Sequence, residues 1–256
     1  MALRHLMVQP QFRGQTLLDR LNAQGFIAAY YLPDTASRAT ATGTFAGATV
    51  LEAGGRTALN MALTALPWGA DGGLVYDGAT SLGTISNDAA LANLTGQAFA
   101  ILVDLDTPGE QNGRLFQWGV AAVNVHSLGG AGSNRQIARI GSDTTDALRL
   151  TQNNEVDYLG APAWVFMDYD DDDILGNGRR IRLHRAQDGV VTELVGGTDT
   201  ALVGTVVNMV DDLIIGNDEN AAWTIDGTVN KIVIFNGTAI ATIDDIYADL
   251  TADEGV

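Results

Sequence analysis

The stretch that decides the fold lies near the carboxyl end of the chain: Asp212–Thr251, which reads DLIIGNDENAAWTIDGTVNKIVIFNGTAIATIDDIYADLT. It contains two apolar runs, Leu213–Ile215 and Lys231–Phe235. Both runs are rich in β-branched and aromatic residues, which pack well on a pleated surface. The segment therefore predicts two short strands.

Turn residues and a helix signal divide the rest of this segment. Turns are predicted where Asn, Asp and Gly cluster, at Gly216–Asp218, Asp226–Gly227 and Asn236–Gly237. Thr242, with Asp245 three residues on, predicts the capped start of a short terminal helix. The segment thus predicts strands joined by tight turns and closed by a helix.

Further blocks with strand character precede it, at Phe26–Asp34, Gly73–Gly78, Ala98–Val103, Ala163–Asp170 and Arg180–His184. In their order and spacing these blocks resemble laminin-G-like domains, the bacterial and phage type within the concanavalin A-like lectin/glucanase superfamily. The resemblance implies an all-β fold, a two-sheet antiparallel jelly-roll sandwich over residues 26–256. It implies function only broadly, since this fold serves lectins, hydrolases, adhesion modules and scaffolds.

Composition agrees with such a sandwich. The 256 residues are 46% hydrophobic and include 30 glycines, enough to bury a core between many turns. Short strands are expected at Phe99–Leu105, Leu115–Trp118, Val123–Leu128, Gln136–Ile140 and Ala147–Leu150. A hairpin is expected about Asp188–Gly189, and a flexible link at 129–134.

The charge is strongly acidic, with 31 Asp and Glu against 14 Lys and Arg and a net charge of −17. This argues against a nucleic-acid-binding protein, which needs a basic face to neutralise phosphates, and it disfavours binding to an anionic membrane surface. Residues 1–25 depart from the rest, because three arginines and one aspartate give them a net charge of +2, leaving −19 on the remainder. We expect an arm at 1–13 and a short helix over Thr16–Asn22, ended by Gly25.

There are no cysteines, which excludes a disulfide framework and thiolate chemistry. The start of the chain does not have the apolar core of a signal peptide, and no run of 18 apolar residues occurs. We therefore expect no membrane insertion, and localisation in a virion, with an extracellular or cell-surface protein as the alternative.

A catalytic strand of the superfamily is present only in part. Its retaining glucanases carry a Glu, an Asp two residues on and a second Glu three residues further; here Glu155 and Asp157 are followed by Gly160. Since retaining hydrolysis needs two carboxyl groups about 5 Å apart, the missing acid predicts that the protein is not an enzyme.

The acidic run at 168–173 suggests calcium, with Asp168, Asp170 and Asp172 as ligands, because hard cations bind several carboxylate oxygens. The alternative is a solvated turn between strands. No other cofactor is indicated. Among the tryptophans, Trp68 and Trp223 lie beside turns and are the candidates for stacking on sugar rings, whereas Trp164 is expected in the core.

These features together predict a non-enzymatic structural or binding protein: a phage virion component such as a head decoration, tail or fibre protein. The expected partners are other virion proteins, docked through the N-terminal arm, and host surface glycans; a homo-oligomer is also expected. One alternative is a bacterial carbohydrate-binding module or adhesin. The other is a glycoside hydrolase-like protein with a degenerate active site.

Overall fold

The computed structural model describes residues 17–31, 49–68, 73–91, 96–105, 113–119, 125–131, 135–151, 162–171, 180–218 and 225–254. Within these ranges the helices are α1 (Leu17–Gln24) and α2 (Ile243–Glu254), with short 3-10 helices at Thr57–Leu59 and Gly237–Thr242. The strands, in chain order, are β1 (Phe26–Tyr31), β2 (Thr49–Val50), β3 (Met61–Thr64), β4 (Leu74–Asp77), β5 (Leu82–Ile85), β6 (Gly96–Leu105), β7 (Arg114–Trp118), β8 (His126–Ala131), β9 (Arg135–Ile140), β10 (Ala147–Leu150), β11 (Ala163–Asp170), β12 (Ile181–Gln187), β13 (Val190–Glu193), β14 (Thr198–Thr200), β15 (Leu213–Ile215) and β16 (Asp226–Asn236).

The strands form two antiparallel sheets, as predicted. A seven-stranded sheet has the order β1-β16-β6-β11-β12-β13, with β4 also paired to β16. A nine-stranded sheet has the order β14-β10-β9-β8-β7-β15-β5-β3-β2. Neighbouring strands in each sheet are often distant in the chain, so the connections cross between strands. Side chains of both sheets share one buried core, which makes the fold a two-sheet sandwich and confirms the predicted all-β class.

The central strands of the seven-stranded sheet, β6 and β11, are buried on both faces. In β6, Phe99, Ile101 and Val103 enter the core between the two sheets. The alternate residues Ala100 and Leu102 enter a second core under the helices. Because successive side chains of a strand point to opposite faces, an uninterrupted apolar run is the pattern of a strand covered on both sides.

The second core is built by α1 and α2 lying on the outer face of the seven-stranded sheet. Tyr247 and Leu250 of α2 pack there with Phe166 of β11, and the Tyr247 and Phe166 rings stack with centroids 4.1 Å apart. Leu21 of α1 is fully buried in the same core, and Arg20 makes a 2.9 Å ion pair with Asp249 of α2. The predicted helix at 16–22 therefore exists, packed on the sandwich.

Several local predictions are confirmed. The Asp188–Gly189 hairpin joins β12 to β13, and both residues have the positive φ that such a turn requires (54° and 75°). The strand Ala147–Leu150 has the predicted bounds, and Trp164 is fully buried. Gly25 ends α1 with φ of 75°.

The predicted flexible link at 129–134 is wrong where the structure describes it. Gly129 and Gly130 belong to β8 and pair with Ile137 and Gln136 of β9. A β-carbon at Gly129 would collide with the carbonyl oxygen of Gly113. The glycine is therefore needed for close approach of two strands, which a sequence pattern cannot distinguish from a loop.

The predicted turn at Asp226–Gly227 is also wrong. These residues begin β16, where Asp226 pairs with Asp77 and Gly227 with Tyr76. Thr242 departs from prediction too, since it ends a 3-10 helix and its hydroxyl donates to the carbonyl oxygen of Ala239 (3.3 Å). In the described part of the chain, neither helix is long and apolar enough to cross a membrane.

Candidate functional site

A cleft of about 250 Å³ opens at one edge of the sandwich, where the two sheets approach each other. Its walls come from β10 and β14 of the nine-stranded sheet and from the start of β12 in the seven-stranded sheet. The lining residues are Ala147, Leu148, Arg180, Ile181, Asp199, Thr200, Ala201 and Leu202. The cleft thus combines an apolar floor with a few polar groups, the composition of small-molecule sites.

Asp199 is the carboxylate of this cleft, and Arg149 orients it. The two residues are paired across β10 and β14 in the sheet register. Both oxygens of Asp199 accept hydrogen bonds from Nη1 of Arg149 at 2.9 Å. The Arg149 side chain is only 2% exposed, whereas that of Asp199 is 57% exposed. The buried guanidinium therefore fixes a carboxylate that still faces solvent.

A second nitrogen of the Arg149 guanidinium is tied to the backbone that follows β13. Its Nη2 donates to the carbonyl oxygens of Leu194 (2.6 Å) and Gly196 (2.7 Å). At the next residue, Gly197 has φ of 100°, and a β-carbon there would collide with the carbonyl oxygen of Leu150. Glycine thus allows this loop to wrap closely around the guanidinium.

Arg180, which directly precedes β12, also lines the cleft. It pairs with Asp171, which directly follows β11, while 47% of the Arg180 side chain remains exposed. The cleft therefore offers a fixed hydrogen-bond acceptor, a guanidinium donor, the Thr200 hydroxyl and apolar contacts within one small volume. Such a set suits a ligand that has both hydroxyl groups and an apolar face.

The structure places the predicted site residues elsewhere. Trp68 is half-buried against the core between the sheets and bridges to Leu74, rather than standing as an open platform. Trp223 lies outside the described residues, as do Glu155, Asp157 and Gly160. The sugar-stacking role of the two tryptophans stays a prediction.

Two of the three predicted calcium ligands lie inside a strand. Asp168 and Asp170 are buried residues of β11, and Asp172 lies outside the described residues. Within the described ranges, no group of three or more His, Cys, Asp or Glu side chains is arranged to hold a metal ion. Calcium binding by the run at 168–173 stays a prediction, but Asp168 already has a partner.

That partner is Arg182 of β12, whose Nε donates to Asp168 at 2.9 Å beneath α2. Tyr247 of α2 donates its hydroxyl to the second oxygen of Asp168 (3.3 Å), and Arg182 also pairs with Asp244 of α2 (3.1 Å). Burial raises the pKa of the Asp168 carboxyl to about 6, against the lowering effect of Arg182. This cluster links α2 to the sheet.

No protein-family model and no curated protein sequence matches the chain. Solved structures do match in fold. Botulinum neurotoxin type C, whose cell entry depends on interaction with two ganglioside molecules, superposes with a TM-score of 0.57 and 8% identity over 91% of this chain and 53% of that one.

Two further matches are parts of carbohydrate-active enzymes. Domain 4 of an extracellular arabinanase from Geobacillus stearothermophilus, in complex with arabinotriose, has a TM-score of 0.54 and 13% identity over 86% of this chain and 97% of that one. Trypanosoma rangeli sialidase has a TM-score of 0.53 and 14% identity over 86% of this chain but only 32% of the sialidase. At these identities the likeness is one of fold alone, a β-sandwich.

Proposed function

We propose that the chain is a non-enzymatic binding protein, and that its laminin-G-like sandwich captures a carbohydrate in the edge cleft. The observation that carries the proposal is the exposed Asp199 carboxylate, held by the buried Arg149 above an apolar floor. Sugar hydroxyls donate to carboxylates, and the C–H faces of sugar rings pack on apolar surface. The arabinotriose complex of the arabinanase domain, which has the same fold, supports this ligand class.

The chemistry of the cleft supports binding without catalysis. Glycoside hydrolysis uses two carboxyl groups, one of them a proton donor to the leaving group. Among the residues that line the cleft, Asp199 is the one carboxylate, and its oxygens are engaged by Arg149. Among the described residues that line the cleft, a ligand therefore meets one carboxylate, and that carboxylate is a fixed hydrogen-bond acceptor.

A glycan array tests the binding role. The purified full chain should bind a subset of immobilised glycans, and Asp199→Asn should weaken that binding. The matched control is Asp188→Asn, the same substitution in the exposed β12–β13 turn. Release of reducing sugar from a bound glycan would contradict the non-enzymatic part, and an array without any bound glycan would contradict the binding part.

We place the protein in a phage virion, as a head decoration, tail or fibre component docked through its N-terminal residues and assembled as a homo-oligomer. What supports this is the combination of a sandwich body with an oppositely charged N-terminal segment, +2 against −19. We expect neighbouring genes for capsid or tail proteins. We also expect mass spectrometry to detect the protein in purified particles.

The second candidate is a carbohydrate-binding module of a bacterial surface or secreted protein. It is favoured by the arabinanase match, because that domain is covered over 97% of its length. Neighbouring genes for glycoside hydrolases or surface proteins, in place of virion genes, would decide for this second function.

A further inference from the structure

We infer that the edge cleft selects the terminal residue of an uncharged glycan and excludes sugars that carry a carboxylate. This inference rests on the proposed carbohydrate-binding function and specifies its ligand class. Three features of the cleft lead to it: the balance of its charges, the fixed orientation of its acceptor and its size.

Among the described residues, the charged groups at the cleft form two ion pairs. Arg149 neutralises Asp199, and Arg180 neutralises Asp171. The surrounding molecule carries −17. An anionic sugar would therefore lose its hydration shell without gaining net positive charge, while approaching the exposed oxygens of Asp199. Binding of an uncharged sugar involves neither the desolvation of an anion nor repulsion by Asp199.

The orientation of Asp199 favours a pair of neighbouring hydroxyls. Each carboxylate oxygen accepts one bond from Arg149, and an ionised carboxylate has further acceptor positions on both oxygens. Since Arg149 is itself held by two backbone carbonyls, the carboxylate loses little freedom when a ligand binds. Two adjacent sugar hydroxyls match two such oxygens.

The size of the cleft limits the ligand to the end of a glycan chain. Its volume of about 250 Å³ is below the range of roughly 300–1,000 Å³ typical of sites for drug-sized molecules. Ile181, Ala201 and Leu202 provide the apolar surface, and Arg180 provides a donor. One sugar ring fits this arrangement, with the rest of the glycan in solvent.

The test uses an array with neutral terminal hexoses and pentoses beside terminal glucuronate, galacturonate and sialic acid. The full chain should bind neutral termini and not their carboxylated counterparts. Methyl glycosides of the bound sugars then give affinities by calorimetry. Asp199→Asn should weaken binding at least about tenfold, the loss expected when hydrogen bonds to a charged group are removed.

A second variant guards against a folding effect, because Asp199→Asn leaves Arg149 buried without its counterion. Ala201→Trp fills the cleft while keeping both residues of the Arg149–Asp199 ion pair, and it should abolish binding. Its control is Ala90→Trp, at an exposed alanine away from the cleft, alongside Asp188→Asn. Melting curves establish that each variant is folded.

The outcomes separate this inference from the proposed function. Neutral binding that is lost in both cleft variants and kept in both controls supports the inference. Preferential binding of carboxylated termini, or neutral binding unchanged in both cleft variants, overturns it while glycan binding stands. Absence of binding to every glycan on the array overturns the proposed function, and the inference with it.

Discussion

A buried arginine is costly to keep inside a protein unless its charge and its donors are satisfied. Arg149 meets this condition with Asp199 and two carbonyl oxygens. Because its planar guanidinium donates in fixed directions, it orients a carboxylate more strictly than a lysine would. The residue thus links the packing of the sheet edge to the position of the Asp199 carboxylate in the cleft.

His126 shows the opposite case, a buried group kept uncharged. Its Nε2 donates to the carbonyl oxygen of Val207 at 3.1 Å, and its ring lies 6.0 Å from the ring of Trp118. Burial lowers the pKa of His126 to about 4, although the bond to Val207 and the charge of Asp146 act in the raising direction. The folded protein therefore takes up a proton on this ring only in acid.

This depressed pKa makes stability depend on pH. An unfolded histidine titrates near pH 6.5, so its contribution is complete above that pH and is lost as the pH falls toward about 4. Between about pH 7.5 and pH 5 the loss should be roughly 2 kcal/mol. His126→Gln should remove this part of the slope in urea unfolding curves. An identical slope in both proteins would show that His126 is not responsible.

At the scale of elements, two turn glycines adopt the same left-handed backbone conformation, but only one of them also lies against a neighbouring side chain. Gly189 has φ of 75° with open space where a β-carbon would lie. Gly216 has φ of 78°, and a β-carbon there would collide with the ring of Tyr76, whose hydroxyl donates to the carbonyl oxygen of Ile215 (3.2 Å). The two positions share a backbone conformation and differ in their neighbours.

Alanine at each position should therefore have different costs. Gly189→Ala should destabilise by about 1 kcal/mol, the cost of left-handed backbone for a residue with a side chain. Gly216→Ala should cost a further 1–3 kcal/mol or so, because the anchored Tyr76 ring must shift. Chemical unfolding of the two variants measures the difference. Equal losses would mean that the ring moves away freely.

The same scale shows what the sequence could and could not predict. The strands in Asp212–Thr251 and the hairpin at Asp188–Gly189 follow from local patterns. Runs of β-branched residues and an Asp-Gly pair determine the conformation of their own segment. The predictions of a loop at Gly129 and a turn at Gly227 are wrong, because pairing with residues distant in the chain determines the conformation of both glycines. Local residue preference does not contain that information.

The cleft was missed for a related reason. Arg149 lies in the apolar strand Ala147–Leu150, and Asp199 is 50 residues further along the chain. Only the pairing of β10 with β14 brings them together, and no spacing pattern in the sequence predicts such a pair. The sequence predicts a structural or binding protein on the sandwich fold, and its candidate site residues are two tryptophans and the acidic run at 168–173.

At the scale of the whole molecule, the N-terminal region consists of helix α1 and the residues that precede it. Residues 17–24 belong to the folded body through Leu21 and the Arg20–Asp249 ion pair. Residues 1–13 lie outside the described part of the chain. The docking role proposed for residues 1–13 and the folding contribution of residues 17–24 can be tested separately.

Two truncations test this separation. Deleting residues 1–13 should leave the melting temperature nearly unchanged but abolish assembly onto the particle or self-association, and high salt should weaken the same assembly in the full chain. Deleting residues 1–24 should destabilise by about 2–5 kcal/mol, as for removal of a buried leucine. A protein that lacks 1–13 and still assembles would contradict the docking role.

The edges of the nine-stranded sheet have unequal consequences for assembly. β14, with three exposed residues, forms one edge beside the cleft, and β2 forms the other. A strand from a second copy added along β14 would cover Asp199, whereas one added along β2 would leave every cleft open. Multivalent capture of a glycan-coated surface, which multiplies weak single-site affinities, is therefore compatible with association through β2 and incompatible with association through β14.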